Sequence, residues 1–158
     1  EKVTSIWPIF RRANLSTANL SRANLSRAKN LIGANILPHL FLLKAQKGKL
    51  RAFKYLKKGG MSPYQDMKYE IKKGKTYEEE NGSTDERIDC DRGLNVATLS
   101  WCVWNRNKGD IIIEVEFEAK DILAIPLVTD GKFRVKKFSI VRKVPEAEIR
   151  KMITPCLE

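Results

Sequence analysis

Ile111-Ile112-Ile113-Glu114-Val115-Glu116-Phe117-Glu118 is the stretch that decides the fold. It alternates apolar Ile111, Ile113, Val115 and Phe117 with Glu114, Glu116 and Glu118, which is the pattern of a β-strand with one buried face. The stretch therefore predicts a half-buried strand. Glu114, Glu116 and Glu118 could form a pair of hydrolytic carboxylates, but alternate positions on such a strand predict its water-facing side.

Further segments with strand character surround this one. The predicted strands are residues 49–56, 67–71, 111–118, 121–126 and 133–144, and the turn at Asp130-Gly131 separates the last two. In the first of them, Leu50, Ala52 and Leu56 share one face. Such short strands, joined by turns, indicate a mainly antiparallel β domain.

Two short helices complete the predicted domain. Thr98 is placed to cap a brief helix through Trp101, Cys102 and Trp104, whose tryptophans are expected in the core because they lie three residues apart. Pro145 opens a terminal helix, with acidic residues in its first turn. The predicted class is α+β, with one or two short helices.

A five-residue repeat occupies the N-terminal part of the chain. Ala-Asn-Leu-Ser recurs at Ala13, Ala18 and Ala23, followed by a looser copy at Ala28 and a resumed Ala-Asn-Ile at Ala34. Five residues advance an α-helix by about 500°, and an odd period alternates between the faces of a strand. Only a chain that turns once per repeat keeps these residues on one side.

This repeat resembles the pentapeptide-repeat family, whose chains wind into a right-handed, four-sided β-solenoid. The resemblance covers residues 13–36 and implies about one coil with its Ala and Leu side chains inside. One coil buries its apolar face only against a neighbour, which is the rest of the chain, a second copy or upstream repeats. We predict a coil with an N-terminal cap at residues 1–38 and the α+β domain at 39–158.

The net charge of +11 is concentrated near the N-terminus: residues 1–60 carry +12 and residues 61–158 carry −1. The densest basic strip contains two aromatic residues and comprises Lys44, Lys47, Lys49, Arg51, Phe53, Lys54, Tyr55, Lys57 and Lys58. Such a strip suits phosphate neutralisation with base stacking and predicts contact with nucleic acid or an acidic host protein. The alternative is a solvated, lysine-rich edge strand.

An ordered set of motifs between residues 49 and 145 carries a second resemblance. Tyr69-Glu70-Ile71 and Cys90-Asp91-Arg92-Gly93-Leu94-Asn95-Val96 belong to this set. It resembles uncharacterised bacteriophage domains and the C-terminal parts of protectors from prophage-induced early lysis. That family usually has His where this chain has Asn95. The resemblance implies a phage-type accessory or host-interaction protein, and the substitution argues for a binding module over an acid-base enzyme.

The residues that could carry chemistry are few. Cys90, Asp91, Arg92 and Asn95 form a candidate turn site, with a structural turn as the alternative. One histidine, His39, and three cysteines without a C-x-x-C pair do not have the spacing of a zinc site, so we expect no metal or cofactor. Reduced cysteines and the absence of an apolar run of about 20 residues predict a cytoplasmic protein that does not enter a membrane.

Two alternative functions stay open at this point. Arg51, Tyr69 and Glu114 or Glu116 occur in an order that suits a remote ADP-ribosyltransferase-like enzyme, which requires one pocket joining them. The other alternative is a structural protein whose solenoid coils stack between subunits and form a homo-oligomer.

Overall fold

In the computed structural model, which describes residues 36–64 and 66–153, the predicted central strand lies inside a seven-stranded antiparallel sheet. The strands are β1 (Lys49–Leu56), β2 (Thr76–Glu78), β3 (Leu94–Ala97), β4 (Ile111–Glu118), β5 (Ile122–Ala124), β6 (Lys132–Val135) and β7 (Lys137–Lys143). Their order across the sheet is β2-β7-β4-β1-β3-β6-β5. The predicted mainly antiparallel β architecture with a few short helices is confirmed.

The described helices are short and lie between or after the strands. They are α1 (Ile36–Phe41), α2 (Leu99–Asn105) and α3 (Glu146–Ile153), with 3-10 turns at Leu42–Ala45 and Ala119–Asp121. Thr98 caps α2 as predicted, because its hydroxyl accepts a hydrogen bond from the Trp101 backbone N–H at 3.2 Å. The predicted domain boundary after residue 38 falls within α1. The predicted coil lies outside the described residues except for Ile36.

Apolar side chains pack against both faces of the sheet. One face carries the larger core, which includes Leu50, Ala52 and Leu56 of β1 as the alternation predicted. The opposite face carries a smaller cluster in which Tyr55 packs with Cys102 of α2 and Ile149 of α3, among others. Strand β1 therefore contributes to both clusters and lies in the interior of the sheet. The alternative interpretation of the basic strip as a lysine-rich edge strand is wrong.

Two predicted strands differ from the structure. Residues 67–71 form a single bridge, Met61↔Lys68, in place of a strand. Residues 133–144 divide into β6 and β7, because Lys136 turns away from the ladder and its backbone N–H bonds the Asp121 carbonyl at 2.6 Å. The alternation of apolar and polar residues does not reveal this break, because the hydrogen-bond partner of Lys136 lies in another part of the chain.

Glu114 does not lie on a water-facing side, so that part of the β4 prediction is wrong. Its carboxylate accepts hydrogen bonds from Arg51 Nη1 at 3.0 Å and from Arg142 Nε at 2.6 Å, and Arg142 continues to Glu148 on α3. Burial works to raise the pKa of Glu114, but the bonds from the two arginines outweigh it and hold the pKa below its usual range. This network joins β1, β4, β7 and α3.

Replacing Glu114 with Gln is expected to reduce the free energy of unfolding by about 1–2 kcal/mol at pH 7, less than for a fully buried pair because both arginines are partly exposed. Since the pKa of Glu114 is lowered in the folded state, this stability is present above the unfolded pKa and is lost as pH falls through the folded value. Urea unfolding between pH 3 and 7 measures it. Glu70→Gln, at an exposed carboxylate, is the matched control.

Within residues 36–64 and 66–153, no helix is long and apolar enough to cross a membrane. Within the same ranges, no group of three or more His, Cys, Asp or Glu side chains is placed to hold a metal ion.

Candidate functional site

A pocket opens where β1 and β3 diverge. The two strands pair at one position, Phe53↔Ala97, and beyond it the space between them is covered by α2 and by the loop of residues 57–68. The cavity itself is small, about 20 Å³ or room for about one water, and it opens into a shallow mouth. Its lining consists of Phe53, Lys54, Tyr55, Ser62, Pro63, Tyr64, Asn95, Val96, Ala97, Trp101, Cys102 and Lys132.

Aromatic rings form much of the wall. The Tyr55 ring centroid lies 5.8 Å from that of Trp101 and 6.5 Å from that of Tyr64, and the Tyr55 hydroxyl donates to the Tyr64 hydroxyl at 3.2 Å. Burial, followed by this hydrogen bond, raises the pKa of Tyr55 well above its usual range. Tyr64 is 62% exposed at the mouth. A flat ligand at the mouth therefore meets the exposed ring of Tyr64.

Lys54 belongs to the pocket lining, and its amine reaches the Tyr69 ring of the larger core with almost no exposure to water. The residue is 6% exposed, and its Nζ donates to the backbone carbonyl of Asn95 at 2.8 Å, an acceptor that β1 and β3 leave without a ladder bond. The Nζ also lies 5.1 Å from the centroid of the Tyr69 ring. Burial lowers the pKa of Lys54 to about 8, and no described carboxylate forms an ion pair with it.

Lys132 contributes a second amine, which does have an acidic partner. Its Nζ bonds Asp89 Oδ2 at 2.8 Å and lies 5.5 Å from the Trp101 ring centroid and 5.9 Å from that of Tyr64. This cation therefore holds the two aromatic walls near each other. The mouth of the pocket therefore combines the Lys132 cation with the exposed ring of Tyr64, which suits a flat, electron-rich or anionic ligand.

The structure distributes the predicted basic strip over several environments. Lys44 bonds Glu86, Lys49 bonds Glu116, and Arg51 bonds both Glu114 and Glu116. Phe53, Lys54 and Tyr55 line the pocket, whereas Lys47, Lys57 and Lys58 are exposed. The nine residues therefore do not form one continuous surface, and a subset of them contributes to the pocket.

The structure brings together only some residues of the predicted turn site. Asn95 Nδ2 donates to the carbonyls of Asp91 and Gly93, both at 3.3 Å, and thereby fixes the turn that leads into β3. Cys90 is exposed, and Arg92 forms an ion pair with Glu79 at 3.2 Å. Asn95 also lines the pocket, so it links this turn to the aromatic site. Cys156 lies outside the described residues.

The residues proposed for an ADP-ribosyltransferase-like site do not share a pocket. Arg51 and Glu114 are bonded on the sheet face that carries α3, whereas Tyr69 lies in the larger core on the opposite face. Neither Arg51, Tyr69 nor Glu114 lines the aromatic pocket.

Three residues of the site were not predicted as such. Tyr64 belongs to one of the motifs of the second resemblance, but neither it nor Lys132 was assigned to a site, and their proximity depends on the pairing of distant segments. Trp101 was expected in the core; it is partly buried and lines the pocket, and Trp104 is 78% exposed. A signal was available for Lys54, because the alternation that buries Leu50, Ala52 and Leu56 assigns Lys54 to the same face.

Comparisons with known proteins bear on the N-terminal segment alone. Residues 9–36 match the family model of pentapeptide repeats, with eight copies. This confirms the predicted repeat and extends it four residues toward the N-terminus. No curated protein and no solved structure matches the chain. The phage-type domain and the cytoplasmic location stay predictions.

Proposed function

We propose that this protein is a binding module for single-stranded nucleic acid, in which one base stacks on Tyr64 at the mouth of the pocket between β1 and β3. The observation that carries the proposal is the exposed ring of Tyr64, with the Lys132 amine near both Tyr64 and Trp101, at a mouth bordered by a lysine-bearing loop. Stacking on aromatic side chains combined with a basic track is how proteins bind single strands without base pairing.

The loop of residues 57–68 supplies the basic track. It presents Lys57, Lys58 and Lys68 to solvent, and none of the three forms an ion pair with a described acid. Two backbone bonds fix the loop: Lys57 N–H to the Met61 carbonyl and Ser62 N–H to the Met67 carbonyl, both at 2.8 Å. The lysines are therefore held on the same segment as the pocket residues Ser62, Pro63 and Tyr64.

Lysines at the opposite end of the sheet have a different environment. A cleft there has Lys49, Lys120, Lys136 and Lys137 in its wall together with Glu78, Glu116, Glu118 and Asp121. These charges pair, for example Lys137 with Glu78 at 3.3 Å and Lys49 with Glu116 at 2.6 Å. Phosphates gain less from lysines that already have carboxylate partners. This contrast favours the loop of residues 57–68 as the phosphate-binding surface.

The test measures binding of a fluorescein-labelled 20-nucleotide single strand by anisotropy at several salt concentrations. The Lys57→Ala, Lys58→Ala double variant is expected to bind roughly tenfold more weakly at low salt, and to reduce the slope of log K against log salt by about 1.4. Tyr64→Ala is expected to weaken binding by roughly tenfold with an unchanged slope, because it removes stacking and no charge.

The matched control is the Lys136→Ala, Lys137→Ala double variant, which removes the same charge from the opposite end of the sheet. Its affinity should stay within about twofold of the parent protein. Three results would each contradict the proposal. They are an equal loss of affinity in both double variants, no binding of the strand at low salt, and equally tight binding of polyglutamate with no effect of Tyr64→Ala. The last result would indicate an acidic protein surface as partner.

A further inference from the structure

Trp104 has the most exposed large apolar side chain among the described residues, at 78%. It lies on α2 three residues after Trp101, and residues three apart are neighbours on the surface of a helix. Its indole N–H has no hydrogen-bond partner and its ring has no aromatic neighbour in the described part of the chain. Exposed tryptophans are enriched where a protein binds a partner.

A series of aromatic contacts connects Trp104 to the mouth of the pocket. The Trp101 ring lies beside that of Tyr55, and the Tyr55 ring lies beside that of Tyr64. The rings of Trp101 and Tyr64 also share the amine of Lys132. Because Trp104 is one helical turn beyond Trp101, it extends this row of rings toward the C-terminal end of α2.

The turn after α2 brings a further lysine to this row. Lys108 is exposed and forms no ion pair with a described acid. Its turn leads into β4, whose first residue, Ile111, pairs with Leu56 at the end of β1. The loop of residues 57–68 follows Leu56 directly, so this loop and Lys108 lie at the same end of the sheet.

The charge at this end of the sheet suits a polyanion. Arg106 is neutralised by Glu146, whose two carboxylate oxygens each accept a bond at 2.8 Å. The remaining charges of the loop and of the turn after α2 are those of two acids, Asp66 and Asp110, and of four exposed lysines, Lys57, Lys58, Lys68 and Lys108. The row of rings is therefore bordered by a net positive surface, the combination with which proteins bind successive bases of a single strand.

We infer that a single strand runs from the mouth of the pocket across α2, so that a second base stacks on Trp104 and a phosphate beside it is bound by Lys108. The inference rests on the proposed function, since it adds a second stacking position to the one at Tyr64. The site then takes a strand of at least two nucleotides, and a lone nucleotide uses only one of the two rings.

Two strands of equal charge test the stacking position by fluorescence anisotropy: a 12-nucleotide deoxythymidine strand and an abasic strand with the same number of phosphates. Trp104→Ala is expected to bind the deoxythymidine strand roughly tenfold more weakly and the abasic strand as the parent protein does, because the variant removes stacking and no charge. Trp104→Phe keeps a ring and should retain most of the affinity. Lys108→Ala should reduce the slope of log K against log salt by about 0.7.

The matched control is Leu42→Ala, which removes another exposed apolar side chain, 61% exposed, from the 3-10 turn that contacts Ala119–Asp121 at the opposite end of β4. Its affinity should stay within about twofold of the parent protein. Unchanged affinity of Trp104→Ala for the deoxythymidine strand, or an equal loss for the abasic strand, would overturn the inference; if Tyr64→Ala still weakens binding, the proposed function stands. No binding of the deoxythymidine strand by the parent protein would instead refute the proposed function.

Discussion

Arg134→Met is expected to reduce the free energy of unfolding by about 3–5 kcal/mol, which makes it the most destabilising substitution that we predict. Arg134 is 0% exposed on β6, and its guanidinium bonds backbone carbonyls of one loop: Nε to Ser83 at 3.1 Å, Nη1 to Ile88 at 2.7 Å, and Nη2 to Asp85. Methionine fills the volume and supplies no donor. The carbonyls would then be buried without partners, or the loop would open.

The shape of the turn before β3 depends on the same arginine. Gly93 has a φ of +138° and lies beneath Arg134, where an added Cβ would be 3.4 Å from the arginine Cδ. The Arg134 side chain therefore packs directly on the Gly93 backbone, and glycine permits that approach. The loop that contains Ser83, Asp85 and Ile88 is thereby attached to β6.

Chemical denaturation and hydrogen exchange measure the effect of Arg134→Met. Exchange should increase in residues 83–89 first, and the midpoint of thermal unfolding should fall by roughly 10 °C. Arg87→Met is the matched control, because Arg87 is on the same loop, is 83% exposed and bonds only Asp85 among the described residues. It should change stability by less than about 0.5 kcal/mol. A loss below about 1 kcal/mol for Arg134→Met would contradict the role assigned to the guanidinium.

Lys54→Met is the second large effect that we predict, and it is expected to increase the free energy of unfolding. At pH 7 the folded protein holds a buried ammonium, since burial lowers the pKa of Lys54 to about 8. Between that value and the ordinary pKa near 10.5, the unfolded chain binds more protons, so the stability of the parent protein rises with pH in this window. The linked change is about 3 kcal/mol across the window. Removing the amine removes that penalty and also one hydrogen bond.

We therefore expect Lys54→Met to be more stable than the parent protein by about 1–2 kcal/mol at pH 7, and to lose this advantage as pH rises to 10. Urea unfolding at pH 7, 8, 9 and 10 measures the difference in free energy of unfolding between the two proteins. The titration of groups that both proteins share cancels in this difference. Lys58→Met, at an exposed lysine, controls for added apolar surface and should show no trend with pH. A constant difference across this range would show that the amine of Lys54 is solvated in the folded state.

A lysine that weakens the fold and lines a pocket is better explained by binding than by packing. Stabilising substitutions at such positions are common, and they usually reduce function.

Local patterns predicted the elements of this fold well. The range of β1 was predicted correctly, because alternating Leu50, Ala52 and Leu56 is a local signal. The Thr98 cap was predicted for the same reason, since its hydrogen-bond partner is three residues away. The pentapeptide repeat was likewise visible as a fixed period and is matched at residues 9–36.

The site required information that local patterns lack. The basic strip was expected to be one surface, but the β1–β4 register sets Arg51 opposite Glu116 and neutralises it. Lys54 finds its acceptor 41 residues later, and Lys132 finds Asp89 43 residues earlier. Such pairings depend on which strands lie side by side, and a single sequence does not specify that order.

The strand order also governs how the chain reaches this structure. In the order β2-β7-β4-β1-β3-β6-β5, the only strands consecutive in sequence that lie side by side are β5 and β6 among those described. Strand β1 pairs with β4 across a separation of 65 residues at Arg51 and Glu116. The entropy of closing such long loops is lost before the paired strands stabilise the chain. The sheet is therefore expected to fold slowly for its size. During synthesis β1 leaves the ribosome long before its neighbours, and the complete sheet forms only after β7, which joins β2 to β4, has emerged.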